Sequence, residues 1–185
     1  MIEDILRDSE DRMKKSVEAV QRELAAIRTG HAHVGLVDHV RVDYFGTLLP
    51  VNQMATVAAP EPRLLTIQPW DRNALPAIEK ALLKSDLGLT PSNDGQTIRL
   101  AIPPLTEQRR KELIKVVHAR VEDGRVAVRN VRRDALEHIR RLVHDKQASE
   151  DQQRKAQEQL QKLTDRYVAA IDERGRDKEA ELMEV

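Results

Sequence analysis

The chain has 185 residues, no cysteine, 34% charged and 2% aromatic residues, and its 31 Lys and Arg balance its 31 Asp and Glu. This excludes a disulfide scaffold, a cysteine-ligated zinc site and thiol catalysis, and it requires a core built from Val, Leu, Ile and Ala. No stretch approaches the ~20 apolar residues of a membrane span, and the start, MIEDILRDSEDRMKK, has no apolar run of signal-peptide type, so a reducing, cytoplasmic setting is expected.

The first segment reads as a helix. Ile2, Leu6, Met13, Val17, Val20, Leu24 and Ile27 recur in three- and four-residue steps, with Ser9 in the one missing place. The stripe is narrow, as in a coiled-coil seam. Thr29-Gly30 is expected to close the helix, since glycine is the usual stop.

From Gly30 to Pro104 the pattern changes, and all eight prolines fall in this stretch. Val40, Val42 and Tyr44 alternate with Arg41 and Asp43, as in a half-buried strand. MATVAAP and LLTIQP read as short buried strands. Asn73 is the expected cap of a helix whose Leu75, Ile78, Ala81 and Leu82 face inward, and Pro76 is tolerated in its first turn. Gly88 is expected to end that helix. Asn93-Asp94-Gly95 signals a turn before the alternating Ile98, Leu100 and Ile102. The stretch reads as a small α+β domain of residues 30–104, inserted into a helical domain of residues 1–29 plus 105–185. Two chain crossings join them, at Thr29-Gly30 and Pro103-Pro104, and these four residues are the expected hinge.

A second long helix opens after Pro103-Pro104, with Thr106 as N-cap and Glu107 at the positive end of the helix dipole. Leu113, Val117, Val121, Val128, Val131, Ala135, Ile139 and Leu142 carry its seam, with Gly124 in register. It has room to run ~40 residues at 1.5 Å each. Ser149 followed by Gln152 is a capping-box start for a third helix, with Ala156, Leu160, Leu163, Tyr167, Ala170 and Leu182 on its inner edge. Three long helices with one apolar stripe each bury those stripes best against one another. The expected class is α+β, an elongated three-helix bundle with a small inserted domain. Gly124 and Gly175 are read as places where helices approach closely.

Charge is unevenly spread. Glu107 to Lys146 holds 12 basic and 7 acidic residues, whereas Ser149 to Val185 holds 7 basic and 10 acidic. Arg125, Arg129 and Arg132 stand four and three apart, so they share one helix face, with Arg133 beside them and Arg109 and Arg110 further back. Arginine is the side chain best suited to bidentate phosphate recognition. From these residues alone, a polyanion-binding face and a face consumed by salt bridges to neighbouring helices stand level.

Catalytic motifs are missing: there is no P-loop, G-x-S-x-G, H-E-x-x-H or dinucleotide fingerprint. His31 and His33 form H-x-H without an evident third ligand. Asp71 beside Trp70 reads as turn chemistry, and Asn130 as a solvated helix residue. The chain is expected to be no enzyme and to hold no cofactor or metal.

Several long motifs resemble one family. RTG closing the first helix, IQPWD, IEKALLKSDLGLTPSNDG, IRLAIPPLTEQRRKELIKVV, RVAVRNVRRDA and DKEAELM look like the ribosome recycling factor, in order and over nearly the whole chain. The resemblance implies an L shape made of a three-helix bundle and a β/α/β domain. It implies action with elongation factor G, which binds and hydrolyses GTP, to split post-termination ribosomes and free messenger and deacylated transfer RNA. It implies binding of a monomer to the 50S subunit and its 23S rRNA, with functional arginines carried onto Arg110, Arg129 and Arg132. Arg125 and Arg133 join that set on helix geometry. The chain departs from the family after RTG, where His31 and Val34 stand in place of an arginine and a proline. A helical protein-interaction scaffold without RNA binding is the competing reading.

Overall fold

The structure, a computed structural model, describes residues 1–184. It contains helices α1 (Ile2–Ala25), α2 (Leu75–Lys84), α3 (Glu107–His144) and α4 (Glu150–Met183). Its strands are β1 (Arg41–Tyr44), β2 (Thr47–Pro50), β3 (Ala55–Glu61), β4 (Leu64–Pro69), β5 (Pro91–Asn93) and β6 (Ile98–Ala101). The chain divides into two compact units, Met1–Arg28 with Thr106–Val185, and Thr29–Leu105.

In the larger unit α1, α3 and α4 pack pairwise into a three-helix bundle. Its core joins Met13, Val20 and Leu24 to Val117, Val121, Val128 and Ile139, and to Leu160, Ile171 and Leu182. Ser9 is buried in the α1 seam, and its hydroxyl is satisfied by the Ile5 carbonyl at 2.7 Å. On α4 the inner edge runs through Thr164 and Ile171, while Leu163 and Ala170 are only half-buried. The expected edge is therefore displaced by one residue at those two places. A buried threonine fits there because its hydroxyl donates back to the Leu160 carbonyl at 2.7 Å.

The helix ends have local causes. Thr106 accepts from the Arg109 amide at 3.1 Å. Ser149 and Gln152 close a reciprocal capping box at 3.1 and 2.8 Å. α3 runs 38 residues, about 57 Å at 1.5 Å per residue. It stops in a Schellman turn: Lys146 takes φ 60°, Gln147 N–H reaches the Leu142 carbonyl at 2.8 Å, and Lys146 N–H reaches Val143 at 3.0 Å. α1 ends at Ala25, before the Gly30 stop expected for it. Ile27 N–H bonds back to the Leu24 carbonyl at 3.1 Å, and this tighter last turn releases the chain early.

The smaller unit holds a four-stranded antiparallel sheet in the order β3-β4-β6-β5, and the hairpin β1-β2. Val42, Leu65, Ile67, Ile78, Leu82, Ile98 and Leu100 are fully buried in its core. The cap before α2 is Asp71 and not Asn73. Its carboxylate accepts from the Asn73 amide at 2.9 Å and from the Tyr44 hydroxyl at 2.8 Å, starting a short 3₁₀ turn that runs into α2. These bonds favour the charged form and hold the Asp71 pKa below the usual carboxylate value. α2 stops at Lys84, ahead of Gly88, where the Ser85 hydroxyl donates to the Leu82 carbonyl at 2.6 Å. In the turn before β6, Asp94 accepts from the Thr97 and Gln96 amides and from Arg99, which lowers its pKa to about 2.

Both crossing segments are tied into this unit. Gly30 has φ +77°, and a Cβ there would sit 3.2 Å from Leu105 Cγ. Ala32 N–H reaches the Pro62 carbonyl at 2.7 Å, and Ile102 N–H reaches Arg63 at 2.8 Å. The segment entering the unit and the segment leaving it thus share the β3–β4 turn as an anchor.

Two glycines set how closely the bundle packs. A Cβ on Gly124 would overlap Val20 Cγ2, and one on Gly175 would lie 2.6 Å from Val121 Cγ2. Gly124→Ala gains about 1 kcal/mol of helix propensity. The forced overlap with a stiff, buried β-branched neighbour costs about 1–3 kcal/mol. A lower urea midpoint is expected for Gly124→Ala, and part of the loss should return when Val20→Ala is added. A midpoint at or above that of the unchanged chain would refute the close-packing account.

Candidate nucleic-acid interface

The arginines rest on an uninterrupted α3, whose backbone fixes their spacing. Arg125 and Arg132 project from the flank that borders α4, since Arg125 reaches Asp172 and Arg132 reaches Gln161, both on α4. What holds each guanidinium differs along the row.

Arg125 is consumed internally. Its Nε donates to Asp172 Oδ1 at 2.6 Å, its Nη2 lies 2.5 Å from the same oxygen, and its Nη1 donates to Glu122 Oε2 at 3.1 Å. Asp172, then Glu122, hold its pKa above the usual guanidinium value. Its side chain is 33% exposed against 51% for Arg129. Arg125, expected on an open basic face, is tied to Asp172 and Glu122 and so braces α3 against α4. The cause is Glu122 one turn earlier on α3 together with the acidic α4.

The other four arginines of the expected set are not held by a close carboxylate among the described residues. Arg129 has one carboxylate near it, Glu122 at 3.8 Å, which Arg125 already engages. Arg133 donates to the neutral Asn130 Oδ1 at 2.8 Å, so Asn130 orients a neighbour. Arg132 donates through Nη1 to the neutral Gln161 Oε1 at 2.7 Å, while its Nε is buried without a partner. Arg110 is half-buried, and its Nε is likewise buried and unpaired. Among the described residues no carboxylate stands at ion-pair distance from Arg110, Arg132 or Arg133. Buried stems with charged ends near water are how long cationic side chains cover apolar surface and remain available to an anion.

Gln161 lies outside the set expected from sequence. Its partner is 29 residues away on another helix, and no local pattern marks one of the several glutamines of α4 as a contact. His33 Nδ1 accepts from the Gly35 amide at 3.2 Å and caps a 3₁₀ turn. No group of three or more His, Cys, Asp or Glu that could hold a metal occurs among the described residues. No helix among them is long and apolar enough to cross a membrane.

The family model for ribosome recycling factor matches residues 20–183. The chain belongs to the ribosome recycling factor family. It is 57% identical over all 185 residues to the ribosome-recycling factor of Roseiflexus castenholzii, and 54% identical to those of Thermomicrobium roseum and Carboxydothermus hydrogenoformans, with each chain wholly covered. It also matches a solution structure of the ribosome recycling factor with TM-score 0.76 and 45% identity, covering 100% of this chain and 98% of that one. A second structure, with TM-score 0.64, 44% identity and full coverage of both chains, has the T. thermophilus ribosome recycling factor and the E. coli elongation factor G bound to the E. coli post-termination complex. Ribosome recycling factors are translation factors and not enzymes, which agrees with the lack of catalytic motifs in this sequence.

Arg125 and Arg133 differ in what holds them: two carboxylates for the first, a neutral amide for the second. Arg125→Ala should lower bundle stability by about 1 kcal/mol, the upper end for a partly exposed ion pair. Arg133→Ala should leave it within about 0.5 kcal/mol of the unchanged protein. Denaturant midpoints check this, and equal losses at the two positions would remove the distinction.

Proposed function

We propose that this recycling factor binds the 23S rRNA of the 50S subunit through Arg129, Arg132 and Arg133, with Arg110 extending the row. With elongation factor G it splits post-termination ribosomes into subunits, so that mRNA and deacylated tRNA are released. It works as a monomer in the cytoplasm, and the GTP is bound by elongation factor G. One observation carries the reading: on a helix braced by its own ion pairs, Arg132 and Arg133 are held by neutral groups and Arg129 by a distant, shared carboxylate. Phosphate contacts of that kind supply affinity and position, and folded RNA is read largely through its shape, phosphates and 2′-hydroxyls. A monomer fits because the seams of α1, α3 and α4 are spent on each other.

Arg132→Gln tests the RNA face. Removing one charge-assisted phosphate contact should weaken co-sedimentation with large subunits about tenfold and make its dependence on salt shallower by about one phosphate. The thermal midpoint should not change. Unaltered affinity across salt concentrations would sink the assignment.

Thr29, Gly30, Pro103 and Pro104 form the hinge in this proposal, and elongation factor G drives motion of the small unit about it. The chain has no native thiol, so a cysteine introduced into each unit gives a unique pair for a short cross-linker. Locking the units should block subunit splitting while leaving large-subunit binding within about threefold, because the arginine face is untouched. Full-rate splitting by the locked protein would eliminate the hinge.

A further inference from the structure

We propose that Gln161 and Asp165 of α4 are a positioning pair that aims the Arg132 guanidinium and leaves its positive charge whole. This rests on the reading of Arg132 as an RNA contact. The geometry is a short relay: Arg132 Nη1 donates to Gln161 Oε1 at 2.7 Å, and Gln161 Nε2 donates to Asp165 Oδ1 at 2.8 Å. Gln161 and Asp165 stand one turn apart on α4, so they share a face.

Asp165 fixes which way the amide points. A carboxylate accepts only, so it takes the NH₂ end of the glutamine, and the amide oxygen is left facing Arg132. An acceptor therefore always meets the guanidinium, and the long Arg132 side chain is held without a search over rotamers. The acceptor is neutral, which is the decisive feature. Arg125, on the same flank of the same helix, is held by Asp172 and Glu122 and is neutralised by them. At Arg132 the carboxylate is set back behind an amide. A phosphate approaching Arg132 thus competes with a neutral acceptor and not with an ion pair, while the guanidinium is already oriented. A guanidinium paired with a carboxylate is charged on both sides and can bond in two places, unlike its single bond to a neutral amide oxygen, so a carboxylate in direct contact would be a stronger rival for that phosphate.

The test moves the charge by one position along the relay. Gln161→Glu combined with Asp165→Asn keeps net charge, side-chain size and every hydrogen bond. The amide introduced at position 165 donates to the carboxylate introduced at position 161, and that carboxylate accepts from Arg132. Only the location of the negative charge changes, from behind the amide to against the guanidinium. A purely structural role predicts an unchanged or raised thermal midpoint and unchanged binding. The positioning role predicts that the midpoint holds while affinity for purified large ribosomal subunits falls about tenfold and the salt dependence becomes shallower by about one phosphate. Arg132→Gln is measured beside it as the reference. Loss of binding in both variants supports the pair. Binding at the level of the unchanged protein in the double variant, with loss in Arg132→Gln, overturns the pair and leaves the RNA face standing. Full binding by Arg132→Gln overturns the RNA role of Arg132, and the positioning pair with it.

Discussion

The close approach of α1, α3 and α4 is the constraint on which the rest of the larger unit depends. Gly124 admits Val20, and Gly175 admits Val121, at places where any side chain would hold the helices apart. A glycine costs about 1 kcal/mol in a helix interior, and two of them in helices of 38 and 34 residues would be a weakness in isolated helices. Here the cost is offset by continuous burial of three narrow seams. A long helix alone in water frays and bends. Three that interlock along their length brace each other, and side chains on the outer face inherit fixed spacing from a backbone that does not have to be ordered again on binding.

The same close packing sorts the arginines. A basic helix beside an acidic one does not lose all its charge, because an ion pair needs a carboxylate within a few ångströms and in the right direction. α4 offers Asp172 opposite Arg125 but Gln161 opposite Arg132. About two turns of α3 therefore hold a guanidinium that stitches two helices together and another whose charge stays intact. Net charge per segment cannot distinguish these cases. The difference lies in the identity of single residues on the neighbouring helix.

Much of this was readable along the chain because the signals are local. The seams of α1 and α3, the Thr106 cap and the Ser149–Gln152 box depend on residues three or four apart, and each is formed. The strand β6 follows from alternation after its turn and β4 from its apolar run, whereas β3, expected as a buried strand, lies mostly exposed beyond Ala55 at the edge of the sheet. Features that escaped have no local signal or have two rivals. Lys146 adopts the left-handed turn that ends α3, a position where glycine is the usual sign. Asp71 and Asn73 are both good caps two residues apart, and the Tyr44 hydroxyl, 27 residues away, favours Asp71. Thr164 displaces Leu163 from the inner edge because its hydroxyl finds a carbonyl within its own helix. For the arginine row, spacing on α3 was legible, but the fate of Arg125 is decided by Asp172, 47 residues away.

A factor without a catalytic group has only binding free energy and geometry to work with. If the row binds RNA as proposed, each arginine–phosphate contact contributes a modest, salt-dependent increment, so a few guanidinium groups give attachment that is firm while the site is intact and reversible once its shape changes. Converting all of them into internal ion pairs would stabilise the bundle and abolish the grip. Leaving all of them loose would keep the charge but add the entropy of ordering each long side chain on contact. Neutral anchors such as Gln161 and Asn130 lie between those extremes: they restrict the side chain and leave the charge available. On the proposed reading the bundle divides its arginines between cohesion and attachment, and the division follows whether the facing group is an amide or a carboxylate.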